Sequence, residues 1–65
     1  MNRIKLLDVV SLTVDVPQYN LVRGNVGTVV ETLANGKAFE VEFSDRYFQT
    51  YCSIGLRPEQ LEVRK

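Results

Sequence analysis

The stretch Gly24-Asn25-Val26-Gly27-Thr28-Val29-Val30-Glu31 decides the fold of this chain. Its two glycines lead into a run of β-branched residues, which favour extended backbone. A glycine inside or at the edge of a strand usually marks a bulge, a bend or the close approach of another backbone. We therefore predict a strand from Gly24 to Leu33, with Gly27 at a bend or a close contact.

Extended segments lie on both sides of this strand. The segment before it is rich in valine, and an arm over residues 15–23 joins the two. Leu21 or Val22 should fold back onto the core, because both are too apolar for a fully solvated loop. After the central strand, Asn35-Gly36 is a strong signal for a tight hairpin, and Pro58 predicts a single 3₁₀ turn. The predicted strands span residues 6–14, 24–33, 37–43, 47–54 and 61–63.

Alternation within these strands predicts a core and a fold class. Every second side chain of a strand points to the same face, so Val14 should lie inward with Val10 and Leu12. Asp8 could start a helix in this region, but the β-branched content favours a strand. Five short strands with tight turns predict an all-β, five-stranded antiparallel barrel with a short 3₁₀ turn before the last strand, since closure removes exposed edges. The predicted core is Val10, Leu12, Val29, Phe39, Val41, Phe43, Cys52, Ile54 and Leu61.

Composition limits the size and class of the protein. With 65 residues and 45% hydrophobic content, residues 1–65 are predicted to form a single small domain. Eight basic and eight acidic residues give zero formal charge, which offers no electrostatic footprint for nucleic acid or an acidic membrane surface. The N-terminal apolar stretch stops at Asp8 without a cleavage site. We therefore predict neither a signal peptide nor a membrane span, and expect a soluble cytoplasmic protein.

The residue types that catalysis requires are scarce. The chain has no histidine and a single cysteine, Cys52, which we interpret as a small core residue rather than a reactive thiol. Glu40 and Glu42 could hold a divalent cation on one strand face, although such carboxylates more often form a solvated face. Gly24-x-x-Gly27 does not match a phosphate-binding loop, because no helix follows it. We therefore predict a non-enzyme without catalytic residues, cofactor or metal.

Aromatic and charged residues outside the core are the candidates for binding. Tyr47 and Tyr51 should project outward on one strand, next to the outward glutamates of the preceding strand, and Tyr19 in the arm could reach the same side. The alternative is that these tyrosines cover the sheet or fill the mouth of a barrel. The arginines in or beside loops could form a basic cluster or could be scattered and paired locally. The candidate binding residues are Tyr19, Arg23, Glu40, Glu42, Arg46, Tyr47 and Tyr51.

The pattern as a whole resembles known families. Gly24-x-x-Gly27-x-Val29, placed between a long arm and an Asn-Gly hairpin, is similar to the KOW motif of SH3-like barrels. Four ordered blocks across about residues 4–63 also resemble a bacterial family called domain of unknown function 4926. The resemblance implies an SH3-like barrel and supplies no activity. The chain departs from peptide-binding SH3 domains in having no tryptophan, and from KOW domains in lacking surplus positive charge. The blocks are Leu7-Asp8-Val9-Val10, residues 23–31, Phe39-Glu40-Val41-Glu42-Phe43 and residues 56–61.

Binding to another protein is the leading functional hypothesis. The chain would be an accessory or regulatory partner of another cytoplasmic bacterial protein, and as a special case it would neutralise a toxin-like neighbour. The alternative is a KOW-type nucleic-acid-binding barrel, which the zero net charge makes less favoured. Leu6, Leu7 and Val9 add apolar side chains near the first strand, and Leu7 and Val9 would mark a protein contact if they are exposed. Self-association is open, because an apolar first strand could pair with its copy.

Overall fold

The structure is a computed structural model that describes residues 3–44 and 50–64, with the backbone alone at positions 50 and 51. These residues form one all-β sheet of five antiparallel strands in the order β4-β3-β2-β1-β5. The all-β class, the five strands and the 3₁₀ turn before the last strand are thereby confirmed. The strands are β1 (Val9–Leu12), β2 (Val26–Leu33), β3 (Ala38–Ser44), β4 (Thr50–Leu56) and β5 (Leu61–Val63), and the 3₁₀ turns are Pro17–Tyr19, Ala34–Gly36 and Pro58–Gln60.

β1 is shorter than predicted, and hydrogen bonding explains why. At Leu12, the last residue of the strand, the backbone bonds to the turn before β2: its N–H donates to the Asn25 carbonyl at 2.9 Å and its carbonyl accepts from the Gly24 N–H at 2.8 Å. The next N–H, that of Thr13, donates to the Gln60 carbonyl at 2.9 Å. The chain therefore leaves the strand after Leu12. Val14 is 40% exposed, so the prediction that it lies inward was wrong.

β2 is the central strand because it pairs with both β1 and β3. Its first residues pair with both neighbours at once, so that Gly27 lies between Val10 of β1 and Phe43 of β3. The pairing with β3 shifts after Val29, which leaves Val30 as an additional residue in β2. Such a bulge bends its strand and increases the local twist. A bend allows this one long strand to pair with β1 along one edge and with β3 along the other.

Gly27 lies where the sheet is most crowded. A Cβ atom at this position would be 2.8 Å from the Glu42 carbonyl oxygen, 2.8 Å from Val41 Cγ1 and 3.0 Å from Phe43 Cδ1. Carbon atoms in favourable contact are about 3.5–4.0 Å apart, so no side chain fits without movement. The predicted close contact at Gly27 is confirmed. Gly24 has a different role: its φ is +92° and its surroundings are open, so it serves a turn.

The loop between β2 and β3 is the predicted Asn-Gly hairpin. Three consecutive residues have positive φ: Ala34 at 50°, Asn35 at 57° and Gly36 at 86°. Asparagine and glycine tolerate this left-handed conformation, whereas alanine does so only at a cost. The Lys37 N–H donates to the Ala34 carbonyl at 3.2 Å and closes the loop.

The core agrees with the prediction except at one residue. Eight of the nine predicted core residues are buried, and Cys52 is half-buried and packs against them. The arm contributes residues that were not in the predicted core, because Val16 and Leu21 form an isolated bridge that turns both side chains inward. Of the two candidates in the arm, Leu21 is 1% exposed and Val22 is 56% exposed. Leu56 also joins the core, since β4 extends beyond its predicted end.

The two edges of the sheet are β4 and β5. No pairing between them joins the part of the chain that the structure describes, and the sheet there is open rather than a closed barrel. Closure and the SH3-like assignment therefore stay predictions. The predicted strand over residues 47–54 begins outside the described residues.

Candidate functional site

Three of the predicted site residues depend on a segment that the structure covers only in part. Arg46 and Tyr47 lie outside the described residues, and Tyr51 is described in its backbone alone. The pairing of β3 with β4 shifts by one residue at Tyr51, which makes it an additional residue in β4. Because a bulge interrupts the two-residue alternation of a strand, the sequence pattern does not assign Tyr47 and Tyr51 to one face.

Glu40 and Glu42 lie where the alternation of β3 predicts, on the face opposite the core. Glu40 Oε2 accepts a hydrogen bond from Ser53 Oγ at 2.6 Å, and Glu31 on β2 is paired directly across from Glu40. Like charges in opposite positions destabilise a sheet, and the Ser53 hydroxyl offsets part of this repulsion. Within residues 3–44 and 50–64 no group of three acidic, cysteine or histidine side chains is placed to hold a metal ion.

Tyr19 and Arg23 lie in the arm. Tyr19 is 49% exposed at the end of the first 3₁₀ turn. The Arg23 backbone N–H donates to Asp15 Oδ1 at 2.8 Å, which fixes the base of the arm. Among the described residues, no hydrogen bond or ion pair joins either of them to Glu40 or Glu42. Among the predicted site residues whose side chains the structure describes, the two in the arm and the two glutamates of β3 are therefore not joined by a polar contact.

Two β-turns with the same pattern of hydrogen bonds contact the two ends of β1. In the turn Lys5–Asp8, which we call the leucine turn, the Asp8 N–H donates to the Lys5 carbonyl at 3.0 Å and Asp8 Oδ2 accepts from the Lys5 N–H at 2.8 Å. In the turn Val22–Asn25, the Asn25 N–H donates to the Val22 carbonyl at 3.0 Å and Asn25 Oδ1 accepts from the Val22 N–H at 2.9 Å. The third residue has a positive φ in both turns.

The residue at that third position distinguishes the two turns. In Val22–Asn25 it is Gly24, with φ of 92°, whereas in the leucine turn it is Leu7, with φ of 71°. This position of a turn favours glycine or asparagine. A leucine there costs about 1–2 kcal/mol of backbone strain. Its side chain is 70% exposed, so burial does not repay the strain.

Leu7 belongs to an exposed apolar patch. Leu6 is 55% exposed and Val9 is 45% exposed, and together with Leu7 they form what we call the leucine patch. The Leu7 N–H donates to the Val29 carbonyl at 2.7 Å, which holds the turn against β2. The sequence analysis expected a protein contact here on condition that Leu7 and Val9 are exposed. The condition is met, although their exposure could not be read from the sequence.

Val26 and Val30 extend the apolar surface across β2. Val9 is paired with Thr28, so these two valines occupy the diagonal positions on the neighbouring strand. Diagonal neighbours on one sheet face are about 7–8 Å apart. Val26 is 44% exposed and Val30 is 38% exposed. The sequence analysis placed only Val29 of this strand in the core and named neither Val26 nor Val30 as a surface residue.

The ion pair seen in the described residues lies beside the last 3₁₀ turn. Arg57 Nε donates to Glu59 Oε2 at 2.8 Å, and both side chains are 67% exposed. The hydrogen bond from its own backbone N–H and the bond from Arg57 lower the pKa of the Glu59 carboxyl from its ordinary value of 4.5. The Arg57 backbone N–H is also bound, at 2.9 Å, by Gln60 Oε1. Arg57 thus stabilises a turn locally.

These features describe a small all-β domain with one five-stranded antiparallel sheet and an apolar turn exposed at the start of β1. The model of the family Domain of unknown function (DUF4926) matches residues 6–63, and the chain belongs to this family. No curated protein and no solved structure matches the chain significantly. In the part of the chain that the structure describes, no helix has the length and apolar content needed to cross a membrane.

Proposed function

We propose that the chain is a non-enzymatic protein–protein interaction module, an accessory or regulatory partner of another protein in the bacterial cytoplasm. The observation that supports this function is the leucine patch. Folding gains nothing from a strained leucine that is 70% exposed. Contact with an apolar surface of a partner would bury this side chain and recover about 1.5–3 kcal/mol for a leucine.

The patch favours a protein partner over nucleic acid. Leucine and valine side chains offer a nucleic acid neither charge for its phosphates nor hydrogen bonds for its bases. Eight basic residues are balanced by eight acidic residues over the whole chain. Exposed contiguous apolar surface is instead typical of contacts between proteins.

We further propose that the sheet closes into an SH3-like barrel that presents the leucine patch at one side. Two features support closure. β2 is shared between the β1–β5 side and the β3–β4 side, and its bulge at Val30 gives the bend that a small barrel needs. Closure would also protect the backbone groups of β4 and β5, which a domain of this size has little other means to cover.

The test is a pull-down from the native host with the tagged protein, washed at low and at high salt, with protein and nucleic acid both identified. The test variant is Leu7→Gly, because glycine keeps the positive φ of the leucine turn and removes only the side chain. The matched control is Val22→Ala, which removes exposed apolar surface from the other turn. The captured protein is then purified and its affinity for the three forms is measured.

The proposal predicts one stoichiometric protein that survives high salt. Removing a leucine that is buried in the complex should weaken its binding by roughly tenfold or more in Leu7→Gly, and Val22→Ala should bind as the wild type does. Nucleic acid recovered only at low salt, without a stoichiometric protein, would instead support a KOW-type function. Equal binding by Leu7→Gly and the wild type would refute the role of the leucine patch.

A further inference from the structure

A groove of about 630 Å³ lies next to the leucine turn. The segment that enters the turn and the hairpin loop at Asn35 and Gly36 both line it. Three apolar residues, Ile4, Phe39 and Pro58, also line the groove, and we call them its floor. Because Ile4 packs against the core and Phe39 is 4% exposed, the floor is part of the folded sheet rather than a loose cover.

The charge of the groove is one-sided. Arg3 and Lys5 line it, and no acidic residue does so within the described chain. Neither cation forms an ion pair with a described carboxylate, whereas Arg57 pairs with Glu59 at 2.8 Å. The groove therefore combines two positive charges with an apolar floor. A ligand that complements it carries carboxylate groups beside apolar side chains.

We propose that this groove binds a peptide segment of the protein partner that carries both acidic and apolar side chains. Carboxylates of the segment meet Arg3 and Lys5, its apolar side chains rest on the floor, and its backbone bonds to the polar groups of Asn35 and Thr32. This inference rests on the proposed function and specifies the chemical character of the segment by which the partner binds. The groove and the leucine patch are adjacent, since Lys5 lines one and Leu6 begins the other.

An acidic peptide fits the groove better than a nucleic acid does. Stable nucleic-acid binding relies on several cations that neutralise successive phosphates, with about 6–10 contacts in strong binders. The groove offers two cations. Its apolar floor would lie against charged phosphates with no gain, whereas aliphatic side chains of a peptide gain free energy from burial there.

The test is a titration of ¹⁵N-labelled protein, followed by amide chemical shifts, with three probes of defined composition. The first is a ten-residue peptide in which leucine alternates with glutamate. The second replaces each glutamate with lysine, and the third is a mixed-sequence DNA duplex. The variants are Lys5→Glu, which reverses a charge in the groove, and Lys37→Glu, which makes the same change at an exposed loop position outside the lining.

The acidic peptide should shift amides at residues 3–5 and 35–36, and Lys5→Glu should weaken its binding by roughly fivefold or more, while Lys37→Glu changes it less than about twofold. The lysine peptide should leave these amides unshifted. Tighter binding of the duplex at the same amides, equal loss in both variants, or no shift at about 1 mM acidic peptide would each overturn the inference. In those cases a partner whose binding depends on Leu7 would still support the proposed function. Failure of the groove proposal can therefore be distinguished from failure of the proposed function.

Discussion

Replacing Gly27 by alanine tests how the sheet is packed at its centre. The added Cβ would lie 2.8 Å from the Glu42 carbonyl oxygen and 2.8 Å from Val41 Cγ1. The first of these atoms belongs to the backbone of β3, which is paired on both sides and cannot move without disturbing two strands. The substitution therefore forces β2 and β3 apart at the point where Val10, Gly27 and Phe43 align.

The size of the effect follows from two opposing contributions. Overpacking a core typically costs 1–3 kcal/mol, and contacts about 0.7 Å inside the favourable distance with a fixed backbone atom belong to the upper end of that range. Alanine also restricts the unfolded chain and returns about 0.4–1 kcal/mol. The expected net loss is about 2 kcal/mol. For a domain of this size, that loss corresponds to roughly 8–16 °C in Tm.

Thermal unfolding followed by far-UV circular dichroism measures this shift. The matched control is Gly55→Ala, because a Cβ there would be 3.6 Å from Leu33 Cδ1 and 3.8 Å from Glu40 Oε1, which are ordinary contacts. The control should keep its Tm or raise it slightly. Equal Tm values for wild type and Gly27→Ala would show that β2 and β3 do not approach each other as described. They would also contradict the pairing of Gly27 with Phe43.

Three further predictions concern single positions in the turns. Ala34→Gly should raise the free energy of unfolding by about 0.5–1 kcal/mol in urea titrations, because glycine relieves the left-handed strain at φ of 50°; a loss would mean that the loop has another conformation. Leu7→Gly should not lower Tm, since the strain that glycine relieves offsets its greater unfolded-state entropy; a clear loss would place Leu7 in the fold rather than at a contact. The folded pKa of Glu59 is depressed, so its contribution is present above pH 4.5 and is lost as the pH falls through the folded pKa. Unfolding curves at pH 7 and pH 3 should therefore differ less for Glu59→Gln than for the wild type, and equal differences would contradict the pairing with Arg57.

The elements that the sequence predicted well have local signals. The alternation of β3 places Phe39, Val41 and Phe43 in the core, and all three are buried. Asn35-Gly36 supplies positive φ at the hairpin, and Pro58 opens the last 3₁₀ turn. In each case the signal is local, either the two-residue alternation of a strand or a residue type suited to a turn, so neighbouring strands are not needed to make the prediction.

The features that the sequence did not predict depend on partners distant in the chain. Val14 has the right residue type for a strand, but Leu12 already bonds to the turn before β2, so the strand ends. The bulges at Val30 and Tyr51 follow from how each strand fits its neighbour. The predicted face of the binding residues was affected most, because that prediction assumed an uninterrupted alternation between Tyr47 and Tyr51.

The leucine turn links the fold to the proposed function. A left-handed third residue is needed there because the turn must bring the Leu7 N–H to the Val29 carbonyl, and glycine would provide that geometry without strain, as Gly24 does in the corresponding turn. Leucine provides the same geometry at a cost and adds a side chain that the core does not use. Neither burial nor backbone conformation therefore accounts for leucine at this position. The proposed contact with a protein partner would account for an exposed leucine here despite its strain, and it would lie beside the groove that Arg3 and Lys5 line.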